Sequence, residues 1–457
     1  MTAVRVESRI TYAQAKHKEA FRLFDLANEA VEAGNLQLAV QHWRHAYRLA
    51  PDDPTMIYCR GVEALASWRF TEAIQYIRRS VSSKYYRDNA QAHYHLGCAA
   101  RGLGDFRLAA KELRIALTLD PTHVAAMIGR GFMLMMHGDI AQAEALFAKG
   151  LSLPGKNASD RNDQATCGAW WGDYSRWSLF ENRWRIGLRH QTPELEAILG
   201  THRWNGKPFP GTLLLECEQG LGDVLMMSRY ATIAATMVDK LVLVVQPPLV
   251  PLMLRLGFET YGTNEPLPRF DAHSPVMSLP WLMGTDALAK VPPPTDFKIP
   301  RRPVKGHAGI CWAGSNVASL DRDRSAAHRA FLPLLDLPGI TWHSIQRGQR
   351  EDEYPEITRR IGQGDWLQSA EEIAQLDFVV SVDTSVAHLS GSLGVPTYIF
   401  PPSYYEFRHN RPAALEAAGI RRDGSAWYPN HTTVRRRHTN DWPAAVSELR
   451  GGLEGVY

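Results

Sequence analysis

The sequence predicts an array of stacked helix pairs followed by two parallel α/β domains that face a cleft. Three observations carry this fold class: the distribution of proline, a recurring 34-residue spacing in the first part, and strands alternating with helical stretches in the second. Of 28 prolines, only Pro51, Pro54, Pro121 and Pro154 precede residue 160. Interior proline removes a helical hydrogen bond and clashes with the preceding turn, so a long proline-poor region favours helices.

The helical part is periodic. Its turns begin at Gly34, Trp68, Gly104, Gly138 and Gly172, at spacings of 34, 36, 34 and 34. Ala39, Ala73, Ala109 and Ala143 follow five residues after these starts, with Trp177 in the last unit. Trp43, Ile77, Leu113 and Phe147 come four later, then Ala46, Ser80, Ala116 and Gly150. Gly61, Gly97 and Gly131 precede their turns by seven. Small residues let helices approach, a large apolar residue fills the gap, and each pair must stack on the next to bury its face. The pattern resembles the tetratricopeptide repeat (TPR), and the region spans residues 11–192 with its capping helices. The fifth unit departs from it. The spacing of Trp170, Tyr174, Trp177 and Trp184 places them on one helical face. They read as a cap that docks the repeats on the next domain or, alternatively, as a platform for stacking a sugar.

Composition narrows the class. Lys and Arg total 51 and Asp and Glu 48, a net charge of +3, which gives no sign of a nucleic-acid partner. Cys59, Cys98, Cys167, Cys217 and Cys311 lie far apart and form no C-x-x-C pair, so a reducing cytoplasm is expected rather than a disulfide framework. Met1 to Ala20 has no apolar h-region. No run approaches ~18 apolar residues, so no integral membrane segment is expected.

From Thr212 onward the grammar is α/β. Strands are expected at Thr212–Cys217, Lys240–Val245, Val276–Leu279, Ala308–Trp312, Thr341–Gln346, Phe378–Val382 and Thr397–Phe400. Alternation with helical stretches makes them parallel βαβ units. The proline-rich Lys290–Val304 stretch divides two domains, 204–290 and 304–450.

Two motifs carry chemistry. The first, Glu218-Gln219-Gly220-Leu221-Gly222-Asp223, lies between a strand and a helix. Its glycines invite a dinucleotide reading, but Leu225 replaces the third glycine. Asp223 also sets a carboxylate where a pyrophosphate would need positive potential. Asp223 reads either as an N-cap or as a general base facing the cleft, with Gly220 and Gly222, next to Gln219, letting a substrate approach closely. In the second motif, Asp383-Thr384-Ser385-Val386-Ala387-His388, a buried strand ends at Asp383 and a helix starts at Thr384 or Ser385. Its free backbone N–H groups and two hydroxyls make an anion cradle, and His388 shares the face of Thr384 and Ser385. The alternative is that Asp383 caps the helix and His388 sits satisfied in the core.

Together with Trp204-Asn205-Gly206, Gln246-Pro247-Pro248-Leu249, Gly309-Ile310-Cys311-Trp312-Ala313-Gly314 and Asp323-Arg324-Ser325, these motifs resemble heptosyltransferase-like GT-B glycosyltransferases of bacteria, in the branch carrying N-terminal TPR repeats. The resemblance covers roughly Trp204 to Trp442. It implies a TPR superhelix followed by two Rossmann-like domains, with acceptor on the first and nucleotide sugar on the second. It implies inverting, metal-independent transfer with Asp223 as base and Asp383, Thr384, Ser385 and His388 around the diphosphate. Arg324 is a candidate for stabilising that diphosphate, Ser315 and Asn316 for touching phosphate or sugar, and Gln346 for reaching the nucleotide. No metal and no other cofactor is expected, and the repeats would present a protein or peptide acceptor.

Ser403–His409 and the stretch Arg411–Gly424 depart from the family pattern. The basic run Arg435-Arg436-Arg437-His438 reads as a solvated face. Two competing functions remain: a TPR adaptor with an inactive transferase domain, and a surface-glycan transferase of lipopolysaccharide type.

Overall fold

The computed structural model describes residues 2–33, 35–184, 202–314, 321–348, 350–403 and 407–456. They form two compact units. The first consists mainly of the chain up to Met135 together with Asp139–Gln164, and the second of Ala165–Phe180 and the chain from residue 202 onward.

Among the described residues of the repeat region nine helices follow one another: α1 (Thr2–Glu32), α2 (Leu36–Leu49), α3 (Pro54–Ala66), α4 (Phe70–Val81), α5 (Ala90–Leu103), α6 (Phe106–Leu119), α7 (Val124–Met136), α8 (Ile140–Ser152) and α9 (Ala158–Trp171). Short polar residues start them: Asn35, Asp53, Asn89 and Asp105 accept hydrogen bonds from the first-turn N–H groups of Leu38, Thr55, Ala92 and Leu108. The turn position of the repeat is left-handed, with φ of +82° at Gly104, +89° at Gly138 and +97° at Gly172. Trp68 takes the same conformation at +61°, against the steric preference that gives this position to glycine elsewhere.

The small-and-large rule of the sequence is literal packing. A Cβ on Gly61 would lie 2.5 Å from Ile77 Cγ1, one on Gly97 2.9 Å from Leu113 Cγ, and one on Gly131 2.3 Å from Phe147 Cε1. Each large residue therefore occupies the space its glycine leaves.

A hydrogen-bonded chain crosses three successive pairs. Burial pushes the His95 imidazole down to about 4, so the ring is neutral at pH 7. Gln91 Nε2 donates to His95 Nε2 (3.0 Å), which leaves His95 Nδ1–H to donate to the Tyr58 hydroxyl (2.7 Å). Gln91 Oε1 accepts from His123 Nε2 (3.1 Å).

Asp163 on α9 has the opposite problem. Burial raises its carboxyl from 3.8 to about 7, with Arg101 opposing and Asp160 adding to the shift. As pH rises from about 4 to 7 the unfolded chain loses this proton first, so the folded state loses stability across that window. Asp163→Asn is expected to flatten the fall in melting temperature between pH 4 and 7. At pH 8 it should stabilise the first unit by about 1–3 kcal/mol. Thermal melts of both proteins across this range check it; parallel curves would show that Asp163 is ionised at no cost.

The described residues of the second unit form two all-parallel sheets. The first holds β1 (Phe209–Glu216), β2 (Val238–Val245), β3 (Glu259–Gly262) and β4 (Ala272–Pro275) in the order β3-β2-β1-β4. The second holds β5 (Val304–Cys311), β6 (Thr341–Ser344), β7 (Arg359–Arg360), β8 (Leu376–Val382), β9 (Thr397–Phe400) and β10 (His431–Thr433) in the order β10-β9-β8-β5-β6-β7. The central strands are buried in continuous runs, as strands covered on both faces must be. One expected strand is a different element: Val276–Ser278 is a turn of 3-10 helix, and the strand lies just before it at Ala272–Pro275. There Ala272, His273 and Ser274 pair with Leu213, Leu214 and Leu215 of β1.

The aromatic fifth unit also differs from expectation. Helix α9 stops at Trp171, Gly172 turns the chain, and Tyr174–Trp184 is 3-10 helix, so Trp170 and Tyr174 share no continuous helical face. Tyr174 and Trp177 are 1% and 2% exposed, which leaves no surface on which a sugar could stack. They belong to the core of the second unit. Trp177 Nε1 donates to the Met277 carbonyl (2.8 Å), and the Tyr174 hydroxyl accepts from Trp427 Nε1 (3.1 Å).

The basic run is split rather than solvated. The Arg436 guanidinium is buried and pairs with buried Asp323 (3.4 Å), whose carboxylate also accepts from the Ser403 amide and hydroxyl. Arg435 donates to the carbonyls of His409 and Asn410, while Arg437 and His438 are exposed. Charged side chains enter a core only when paired and hydrogen-bonded, which is the case here.

Candidate active site

The order of strands locates the site. In the first sheet the chain runs from β1 outward to β3 and returns on the other side of β1 as β4. In the second it runs from β5 to β7 and returns beside β5 as β8. Ligands of open parallel sheets bind where strand order reverses, outside the carboxyl ends of the strands. The Glu218–Asp223 motif follows β1, and the Asp383–His388 motif follows β8. Both sequence motifs therefore stand at switch points.

The turn after β1 is built tightly. Buried Glu218 accepts from the Met277 amide (3.1 Å), tying the turn to the end of β4. Gln219 is left-handed at φ +63°, and Gln246 Nε2 holds its carbonyl (3.0 Å). Non-glycine residues take this conformation at a cost of ~1–3 kcal/mol, and such strain clusters at functional sites. Helix α10 (Leu221–Met227) begins there. Gly220, not Asp223, stands at the N-cap; Asp223 is the third residue of the helix, and its Oδ2 accepts from the Gly220 amide (3.0 Å). Its other oxygen, Oδ1, forms an ion pair with Arg408. The side chain is buried but not sealed, with 11% exposure.

The second motif meets the first. Helix α11 (Ser385–Ser392) starts after Thr384, which stands at the N-cap position without a side-chain cap bond. Asp383 is the last residue before it and is not the cap. Helices α10 and α11 pack together, and they approach closely at Gly222. A Cβ there would lie 2.7 Å from His388 Cδ2 and 3.4 Å from both His388 Nε2 and Ser385 Cα. Gly222 and His388 thus stand against each other.

Charge around the Asp383–His388 motif is concentrated. Burial works against the Asp383 carboxylate, but the His409 ring at 3.2 Å, Arg408 and Arg324 outweigh it and hold the group below the usual carboxylate range. Burial drives His388 well below the usual imidazole range, against the pull of Asp383 at 4.0 Å. A neutral His388 keeps one N–H, and its Nδ1 lies 3.2 Å from the Tyr428 hydroxyl. His431 is pushed down to about 3 by burial and donates Nε2–H to the Ala387 carbonyl (3.1 Å), bracing the first turn of α11.

The other expected residues divide. Arg324 adds its positive charge at Asp383 and is half-buried. Ser315 and Asn316 lie outside the described residues. Gln346 is 2% exposed and its amide is engaged at both ends: Oε1 accepts from the Trp312 and Ala313 amides, and Nε2 donates to the Ala313 and Arg347 carbonyls. It fixes the turn after β5. Arg408, His409 and Tyr428 were missed by the sequence reading, and the first two come from the segment that departs from the family pattern. Among the described residues no group of three or more His, Cys, Asp or Glu is arranged to hold a metal ion.

Comparison with known proteins bears on the helical part. Residues 24–89 and 94–159 match the tetratricopeptide repeat family. The helical array is built of tetratricopeptide repeats. "Tetratricopeptide repeat protein 8" of Caenorhabditis elegans is 25% identical over 146 residues, which are 32% of this chain and 28% of that protein. The match therefore spans under a third of the relative's length. Among solved structures, MamA from Desulfovibrio magneticus is 23% identical, with 32% of this chain and 84% of that one covered and a TM-score of 0.27. A mutant of the Thermobaculum terrenum O-GlcNAc transferase is 12% identical, with 96% and 92% covered and a TM-score of 0.38. The family match and the two parallel sheets make the fold a TPR array followed by a parallel α/β region.

Proposed function

We propose that this protein is a glycosyltransferase of GT-B organisation, which moves a sugar from a nucleotide-sugar donor to an acceptor hydroxyl with inversion and without a metal. The observation that carries the reading is the meeting of two motifs at Gly222 and His388, with an ionisable carboxylate on one side and an anion cradle on the other. Asp223 takes the proton of the acceptor hydroxyl. The acceptor oxygen bonds to the anomeric carbon as the bond from that carbon to the diphosphate oxygen breaks. The electron pair leaves with the diphosphate. Backbone N–H groups at the start of α11, the hydroxyls of Thr384 and Ser385, neutral His388 and Arg324 receive the developing charge. Such groups act without reorganising when they are already held in place, as His388 is by Tyr428.

The repeats would present the acceptor. Stacked helix pairs make an extended surface suited to polypeptide. The Tyr58–His95–Gln91–His123 chain lays a polar, aromatic stripe across three of them. The five cysteines form no disulfide, in keeping with a reducing compartment such as the cytoplasm. No helix among the described residues is long and apolar enough to cross a membrane.

The test is a melting screen against UDP-, GDP-, ADP-, dTDP- and CMP-sugars without metal. One donor is expected to raise the melting temperature by about 2–4 °C at 100-fold excess over its dissociation constant. His388→Ala should remove most of that shift. Absence of a shift with every donor would favour the adaptor reading instead.

A further inference from the structure

In the arrangement described the Asp223 carboxylate is engaged on both sides, so neither oxygen is open to an acceptor hydroxyl. Oδ2 accepts from the Gly220 amide and Oδ1 is paired with the Arg408 guanidinium. The same arginine reaches the other motif electrostatically. Its charge helps hold Asp383 ionised and disfavours protonation of His388. Its guanidinium lies 4.4 Å from the centre of the Phe407 ring, and the adjoining His409 pairs with Asp383. Arg435 pins the backbone of His409 and Asn410. Arg408, on a pinned segment, thus pairs with the carboxylate of the first motif and acts by its charge on the groups of the second.

We propose that Arg408 is the cation that receives the donor's diphosphate, and that it releases Asp223 as it does so. This rests on the function proposed above. With the donor absent the guanidinium pairs with Asp223. A diphosphate at the start of α11 offers more negative charge and bidentate oxygens, and it draws the guanidinium across. Asp223 is then free to take the acceptor proton. As the anomeric C–O bond breaks, the electron pair arrives on a phosphate oxygen that Arg408 already faces. The base is therefore unmasked only when a sugar is in place.

The consequence is a competition that binding can read without knowing the acceptor. The probes are UDP, GDP, ADP and dTDP, titrated calorimetrically into the full chain without metal. Arg408→Gln should weaken the nucleotide that binds wild type by ~10-fold or more, and Arg408→Lys should restore part of that loss. Asp223→Asn should tighten it by ~3- to 10-fold, because the competitor for Arg408 is gone. In the Arg408→Gln background Asp223→Asn should change the affinity by less than ~2-fold.

If Asp223→Asn tightens binding equally with and without Arg408, the effect is plain repulsion through space and the exchange is overturned. Unchanged affinity in Arg408→Gln overturns it as well, while leaving the transferase reading intact. Binding of none of the nucleotides to wild type overturns both. Melting curves of each variant identify any that fails to fold, and Arg408→Lys, which keeps the charge, then decides alone.

Discussion

Asp223→Asn is expected to lower the rate of sugar transfer by ~100- to 10,000-fold, the range a positioned general base contributes. Donor binding should be kept or improved, because asparagine retains the shape of the turn and removes the charge that competes for Arg408. The measurement is release of nucleoside diphosphate from the donor that stabilises the protein, in the presence of acceptor, with binding followed separately. Asparagine can still accept from the Gly220 amide, so helix α10 should keep its start. A variant that transfers at the wild-type rate would show that Asp223 is only a helix-start residue and that the proton goes elsewhere.

Gly222→Ala should be nearly as damaging for a different reason. Its methyl group would sit 2.7 Å from the His388 ring. His388 is buried and held by Tyr428, so it has no room to swing away. Helices α10 and α11 must instead separate, which misplaces base and cradle relative to each other. A displacement near 1 Å costs ~100-fold in rate, and overpacking costs about 1–3 kcal/mol in stability. Gly220→Ala is the control from the same motif, since its Cβ would meet only Asp223 Oδ2, at 3.3 Å. It should cost far less in both. Equal losses in the two variants would mean that the turn simply tolerates no side chain, and that the approach of the helices is not what matters.

The two glycines show what a sequence can and cannot convey. Their pattern after a strand resembled a phosphate-binding turn, whereas the structure gives the second glycine the task of letting another helix in. The repeats were legible because each small residue meets its large partner within about 16 residues along the chain, as Gly61 meets Ile77. The central strands were legible as apolar runs. Strands β3, β7 and β10 were not, because Glu259–Gly262, Arg359–Arg360 and His431–Thr433 lie toward or at the sheet edges and carry no apolar run. Arg408 was beyond reach altogether. Its partner Asp223 lies 185 residues away, and no local rule joins them. The departure of Ser403–His409 from the family pattern was a signal nonetheless: the unmatched segment is the one that supplies Arg408 and His409. Arg436 misled in the opposite way, since a run of charge usually marks a wet surface and this one is anchored on buried Asp323.

The residues from Ala165 to Phe180 belong with the second unit although they precede its first strand and continue the repeat period. Tyr174 and Trp177 fill its core and hydrogen-bond its backbone or side chains. The α/β half is therefore not a cassette that begins where the repeats end. A gene fusion that exchanged the repeats at the last period would carry off two aromatic side chains that the α/β core needs. Recombination has a safe crossing only upstream of Ala165, and the number of repeats can vary more freely than the identity of the last one.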